Sequence, residues 1–301
     1  MVLGQGDYTY KAQLDWAKLP LWWSFSGVTD VAVDSQDRVY VFDRMGKHPV
    51  VVLDKDGRFV SSWGEGKFRT AHNIYIDAKD DVWTVDCGAH VVNKWGPDGT
   101  PLLELGTRDI AGAQYYGEVF NMPTGVAVAS TGGVYVSDGY GNLKVQRFTS
   151  DGRHLGNWGR GGKGPGEFAL PHSINIDEHD NVYVCDRENG RVQVFDLDGK
   201  YLKEWGGMNL PESIDFDDKA AYICEELQGD KPNKVFVFAR DGNLVSSWST
   251  NDPEGNGIMT TAHGIAVDSR GDIYLADNPS WYKSPNPAAE GPARVVKFIR
   301  Q

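Results

Sequence analysis

Six copies of one pattern run along this chain, and that repetition restricts its fold more than any other feature. A copy opens with an alternating apolar strand that ends in an acid, turns, and adds a second strand ending in another acid. The copies read GVTDVAVDSQDRVYVFD from Gly27, AHNIYIDAKDDVWTVD from Ala71 and PTGVAVASTGGVYVSD from Pro123. They continue as PHSINIDEHDNVYVCD from Pro171, PESIDFDDKAAYICEE from Pro211 and AHGIAVDSRGDIYLAD from Ala262. Each of the first five is followed by a hairpin with Asp-Gly at its turn, as in LDKDGRFVSSWG and DLDGKYLKEWG. Period-two alternation broken by Asp-Gly turns marks antiparallel strands. A unit of about 40 to 50 residues is the length of a four-stranded propeller blade. The expected fold is all-β, a six-bladed β-propeller of NHL-like repeats.

The sixth copy stops at ARVVKFIRQ, its third strand. The N-terminal YKAQLDWAKLP resembles the missing outer strand and is expected to close the ring in the last blade, removing exposed sheet edges. No linker or composition break interrupts the repeats, so residues 1–301 read as a single propeller domain. At 301 residues a chain buries enough surface to fold without disulfides, and three cysteines (Cys87, Cys185, Cys224) form neither a disulfide framework nor a metal knuckle. No stretch of about 18 apolar residues is present, and the first residues lack the charged and apolar regions of a secretory signal. A formal charge of −12 argues against nucleic acid, whose phosphates select basic surfaces. These features suggest a cytoplasmic protein whose partner is a small molecule or another protein. The glycine-rich WGRGGKGPGEF lacks GxxxxGK[ST] and precedes a strand, so it reads as a connection between blades.

The repeats also align the candidate site. Five residues before the acid that ends each first strand stand Thr29, His72, Thr124, His172, Glu212 and His263; Ala129 replaces the acid in the third copy. Histidine thus falls on the second, fourth and sixth blades alone. On a six-fold ring these three would lie about 120° apart at one height, where the inner strands meet the channel. Three converging imidazoles suit a metal and leave a tetrahedral zinc one open position, the arrangement of a catalytic site. A single histidine in a repeat is as readily a structural hydrogen-bonder, but His48, His90, His154 and His179 all lie off this register. Imidazole ligands without thiolate favour zinc, with iron, copper and nickel as alternatives.

Chain direction places the residues after each second strand around the same mouth. They are Arg44, Cys87, Gly139 with Tyr140, Arg187, Glu226 and Asn278. Two arginines and a tyrosine beside a metal suit an anionic or amide-containing substrate that also needs a proton moved. Taken singly, each arginine reads equally as an inter-blade salt bridge and Tyr140 as a packing aromatic. Trp281, Tyr282, Tyr115 and Tyr116, in the segments 278–293 and 108–121, are further candidates to line or cover the pocket.

Across nearly its whole length the chain resembles the catalytic core of peptidyl-α-hydroxyglycine α-amidating lyase. The similarity is densest in AHNIYID, MPTGVAVASTGGVYVSDGYGN, LPHSINID with VCDRENGRVQVF, and AHGIAVDSRGDIYLAD. The resemblance implies zinc on His72, His172 and His263, a catalytic tyrosine at Tyr140, and active-site arginines at Arg44 and Arg187. It implies cleavage of the C–N bond of an α-hydroxyglycine to give an amide and glyoxylate. Two positions depart from the family. Gly141 stands where a secreted member has cysteine, and Gly264 stands where the family's acidic calcium ligand follows the third histidine, with Asp30 a possible replacement. A metallohydrolase, or another lyase on the same three histidines, and a non-catalytic NHL interaction propeller are the alternatives. Glu212 has no assigned role.

Overall fold

The structure, a computed structural model, describes residues 1–115, 119–226, 233–250, 258–259, 261–278 and 293–301. Its residues cluster into two compact units, one of residues 66–211 and one of 1–65 with 212–301. In the first unit, blade two comprises strands Ala71–Ile76, Val82–Asp86, Val91–Trp95 and Pro101–Gly106. Blade three comprises Gly125–Val128, Val134–Asp138, Lys144–Phe148 and His154–Trp158. Blade four comprises Pro171–Ile176, Val182–Asp186, Arg191–Phe195 and Tyr201–Trp205. The second unit holds blade one (Val28–Val33, Val39–Asp43, Val50–Leu53, Phe59–Trp63) and blade five (Pro211–Phe216, Ala220–Glu225, Lys234–Ala239, Leu244–Ser249). Each is a four-stranded sheet, and the fold is the expected all-β six-bladed propeller.

Blade six is built from both ends of the chain. Ala262–Val267, Ile273–Asp277 and Arg294–Arg300 are joined by Tyr8–Gln13, which pairs antiparallel with the last strand from Tyr10 opposite Arg300 to Gln13 opposite Lys297. The closing strand is therefore N-terminal, as the sequence implied. It begins two residues earlier, at Tyr8, and stops at Gln13. A fifth strand, Leu3–Gln5, pairs outside it and was not evident from the repeats.

Alternation explains the packing. Second strands read VYVFD, VWTVD, VYVSD and VYVCD, and every residue of each is buried. A strand covered on both faces belongs between blades, and the apolar clusters are shared accordingly. Trp83, Val85 and Val92 of blade two meet Val126, Val134 and Phe148 of blade three. Ala127, Tyr135 and Val145 of blade three meet Ile174, Val184 and Phe195 of blade four.

The two acids of the repeat have separate tasks. The acid closing the first strand accepts amides of the following turn: Asp77 takes Lys79 N at 2.9 Å, and Asp177 takes His179 N at 3.0 Å. The same carboxylates receive a ring donor from the second strand, Trp83 Nε1 and Tyr183 Oη, each at 3.0 Å. In blade three Ala129 cannot do this, and its turn closes through backbone bonds alone, Ala129 N to Gly133 O at 2.9 Å and Gly132 N to Ala129 O at 2.8 Å. The acid closing the second strand reaches back to amides that precede the first strand. Asp43 accepts from Ser26 N and Gly27 N, Asp86 from Arg69 N and Thr70 N, and Asp277 from Thr261 N, at 2.7–2.9 Å.

Tyr10 of the closing strand is fully buried and stacks on Trp248 of blade five, with ring centroids 4.9 Å apart. Tyr10→Ala is therefore expected to lower the unfolding free energy by about 3–5 kcal/mol, the usual cost of truncating a buried aromatic. Urea denaturation checks this, with Leu14→Ala, at a 45% exposed site, as the near-neutral control.

Candidate metal centre

Each site histidine is the second residue of its blade's first strand, and each sits where the ladder to the second strand slips. The pairing shifts between Ala71 and Asn73, between Pro171 and Ser173, and between Ala262 and Gly264. His72, His172 and His263 are thus the extra residues of β-bulges. A bulge re-aims one side chain without disturbing the strand beyond it, which is why bulges recur beside functional sites. Hydrophobic alternation does not reveal a bulge, so this device was invisible in the sequence.

The ligand atoms of His72, His172 and His263 all lie within 4.8 Å of one another, and all three residues are buried. Two rings are held by the same contact. His72 Nδ1 lies 2.7 Å from Thr124 O, and His263 Nδ1 lies 2.6 Å from Thr29 O. A carbonyl oxygen can only accept, so each Nδ1 carries the proton and each Nε2 keeps its lone pair. A backbone carbonyl orienting the far nitrogen is the usual companion of a metal-binding imidazole. The donor set therefore fits a transition metal: three buried imidazoles with ligand atoms close together, two of them with Nδ1 held by a backbone carbonyl. Thr29 and Thr124 stand at the histidine register in the odd blades, but a main-chain oxygen holding a histidine has no signature in the sequence.

Tyr140 joins the same cluster. Its hydroxyl lies 2.9 Å from His72 Nε2 and 3.1 Å from His172 Nε2, and the two imidazole centroids are 4.9 Å apart. The reason lies in the loop after the second strand. In blades one, two and four the first residue of that loop donates its amide to the carbonyl just ahead of the first strand: Arg44 to Gly27, Cys87 to Thr70, Arg187 to Leu170. In blade three Gly139 precedes the matching donor, and Tyr140 makes the contact instead, to Met122 O at 3.4 Å. A Cβ on Gly139 would collide with Pro171 O and stand 2.9 Å from Thr124 Oγ1, so only glycine lets this loop lie against blade four.

The loop is fastened from behind. Asn142 Nδ2 donates to Asp138 Oδ2 at 2.6 Å and Gln146 Nε2 to the same oxygen at 2.6 Å, while Asn121 N donates to Asp138 Oδ1 at 2.9 Å. Burial nevertheless pushes the Asp138 carboxyl up, outweighing these bonds. Tyr115 N donates to Gly141 O at 3.1 Å and to Asn142 Oδ1 at 3.0 Å, so segment 108–115 is tied to the Tyr140 loop. The Tyr115 ring itself is 47% exposed. Tyr116, Trp281 and Tyr282 lie outside the described residues.

The arginines hold the positions the repeat gave them, at the ends of their second strands, both half-buried. Arg187 opens a short 3₁₀ turn and its guanidinium pairs with Glu188, Nε at 3.1 Å and Nη2 at 2.9 Å. Glu212 is fully buried at the histidine register of blade five. Gly264 packs directly on Asp30, whose carboxylate fills the space a Cβ there would need. In the glycine-rich segment, Glu167 Oε2 accepts from Lys163 N at 3.1 Å and Gly164 N at 2.8 Å, so a carboxylate already occupies the amides a phosphate would use.

The chain is similar to several known proteins. A family model described as "6-bladed beta-propeller" matches residues 126–211. The mouse protein NHL repeat-containing protein 3 is 34% identical over 293 residues, which cover 90% of this chain and 82% of the mouse protein. The chain belongs to the NHL-repeat β-propellers. Rat peptidylglycine alpha-amidating monooxygenase is 33% identical over 298 residues, 87% of this propeller but 28% of the rat protein. A Caenorhabditis elegans protein named probable peptidyl-alpha-hydroxyglycine alpha-amidating lyase is 33% identical over 239 residues, 75% of this propeller and 66% of the worm protein. This propeller thus spans only a part of the first and about two thirds of the second.

A Cβ on Gly141 would run into the backbone and side chain of Asn121. Gly141→Ala is expected to destabilise the protein by about 1–3 kcal/mol through this overpacking. Thermal unfolding of the variant measures it; an unchanged melting temperature would show that the 121 loop yields freely.

Proposed function

We propose that this propeller is a zinc-dependent lyase that cleaves the C–N bond of an α-hydroxy amide, a peptidyl-α-hydroxyglycine or a smaller carbinolamide, to an amide and a carbonyl product such as glyoxylate. The observation that carries this reading is the Tyr140 hydroxyl, set within hydrogen-bond reach of the Nε2 atoms of His72 and His172. The lyase names of the relatives support the same chemistry.

His72, His172 and His263 would hold the ion. When bound, zinc supplies Lewis-acid stabilisation of negative charge developing on an oxygen. Tyr140 Oη stands beside the Nε2 atoms of His72 and His172, where it can take the proton of a carbinol hydroxyl in its phenolate form. The hydroxyl carbon then becomes a carbonyl, the C–N bond breaks, and the departing amide nitrogen regains the proton from Tyr140. Atoms balance with no oxidant or water consumed. Arg44 and Arg187 are assigned to the substrate's carboxylate, for which a guanidinium offers a matching fork. Arg187 must exchange Glu188 for that partner, and a partly exposed pair of this kind holds by about 1 kcal/mol or less. We place the reaction in the cytoplasm, with neither nucleic acid nor membrane as partner. The charge of −12 and the three buried thiols are in keeping with that compartment.

Zinc-loaded protein incubated with a hydroxyglycine-terminated peptide should release glyoxylate and the peptide amide in equal amounts. Hydrolysis products without glyoxylate would instead favour a metallohydrolase on the same histidines, and no turnover of any such compound would favour an interaction propeller. Tyr140→Phe should keep its metal and stay within about 0.5 kcal/mol of the parent's stability, yet lose about 10²–10⁴-fold in kcat. In His172→Ala, elemental analysis after metal loading should find the site empty, and a full complement of metal would contradict the assignment.

A further inference from the structure

We propose that Thr124 is a positioning residue that holds His72, His172 and Tyr140 in one arrangement. The proposal rests on the function proposed above and deepens it.

Thr124 occupies the histidine register of blade three, between the two blades that carry His72 and His172, and is 1% exposed. Its carbonyl accepts His72 Nδ1 at 2.7 Å and so sets that ring's tautomer and direction. Its amide donates to Ser137 O at 2.8 Å, anchoring the residue in its own blade. Its hydroxyl faces the other way. Pro171 O, on the residue just before His172, lies 2.7 Å from Oγ1, while Ser137 O and Ser137 Oγ are each at 3.0 Å. One hydroxyl proton serves one acceptor best, and Pro171 O is nearest, whereas Ser137 O already has the amide. The Thr124 hydroxyl therefore donates to Pro171 O and can accept from the Ser137 hydroxyl.

This bond fixes the start of the strand at whose bulge His172 is re-aimed. Gly139, immediately before Tyr140, is packed on the same Thr124–Pro171 contact. One residue thus borders all three groups: His72 through its backbone carbonyl, His172 through its hydroxyl, and Tyr140 through the glycine pressed against that hydrogen bond. Loss of the hydroxyl removes the short donor to Pro171 O and the tie between Thr124 and the His172 strand.

Three variants separate this role from general packing. Thr124→Val removes only the hydroxyl, Thr124→Ser keeps it, and Gly139→Ala wedges the Thr124–Pro171 contact from outside. Cobalt(II), a probe with visible ligand-field bands, is titrated into each full-length protein, and long-range ¹H–¹⁵N spectra record the histidine rings without metal. The expected result for Thr124→Val and Gly139→Ala is cobalt binding weakened about 10–100-fold, as for other losses of ligand support, with altered bands and displaced His172 ring signals. Thr124→Ser should match the parent in all three. Parental affinity, bands and ring signals in Thr124→Val would overturn the proposal. So would a Thr124→Ser variant as impaired as Thr124→Val, because the methyl group would then be the part that matters. If Thr124→Val does not fold, Gly139→Ala and Thr124→Ser decide by the same criteria. A parent protein that binds no cobalt would refute the zinc reading of the site, and the metal-free ring signals would still decide for or against Thr124.

Discussion

The buried carboxylate at the end of each second strand is the contact on which this architecture turns. In every blade where the bond is described, it reaches back across the blade to amides that have not yet entered the first strand. A buried carboxyl group is tolerable when several N–H groups aim at it, and those amides would otherwise be buried without acceptors. One interaction thereby fixes both the point where the chain enters the inner strand and the point where it leaves the second. The functional residues lie within two or three positions of these clasps: His72 follows Thr70, and Tyr140 follows Asp138. Precision at the site comes from a structural acid that touches no candidate ligand.

A second layer of support passes between blades. The bulge frees each histidine from its own ladder, and for two of them the next blade's backbone then holds the ring, His72 on Thr124 and His263 on Thr29. The ring is thus oriented by a neighbour, although it is carried by its own strand. Such an arrangement needs repeats that are similar enough to stack and different enough to alternate donor and acceptor. Glu212 is the departure in the fifth blade, where a buried acid replaces the threonine of blades one and three.

Much of this was legible in the residues. Period-two alternation and Asp-Gly turns specified the blades, and the missing last strand of the sixth copy pointed to the N-terminus, where Tyr8–Gln13 indeed pairs with Arg294–Arg300. The histidine register followed from counting back from the acids, and it led to three side chains that do converge. Counting did not show how they converge, because a bulge leaves the polar–apolar pattern on either side intact. Nor did it show that Tyr140 is displaced by one position, since the effect depends on Gly139 fitting against Pro171, a contact between segments far apart in sequence. The pairing of Arg187 with Glu188 was equally hidden, although the two are adjacent, because sequence says nothing of side-chain direction in a 3₁₀ turn. The fifth outer strand, Leu3–Gln5, carries too few residues to display a period.

The carbonyls that orient His72 and His263 belong to the main chain, and this separates the site from what conventional mutagenesis can reach. Any substitution at Thr29 leaves an oxygen on its backbone, so scanning side chains to alanine would report that position as tolerant while the contact itself persisted. Half of the ligand support is in this sense written in the path of the polypeptide, independent of its alphabet. Related propellers could then change the residue at the Thr29 position and keep its carbonyl contact to the histidine, provided the backbone still passed through the same point.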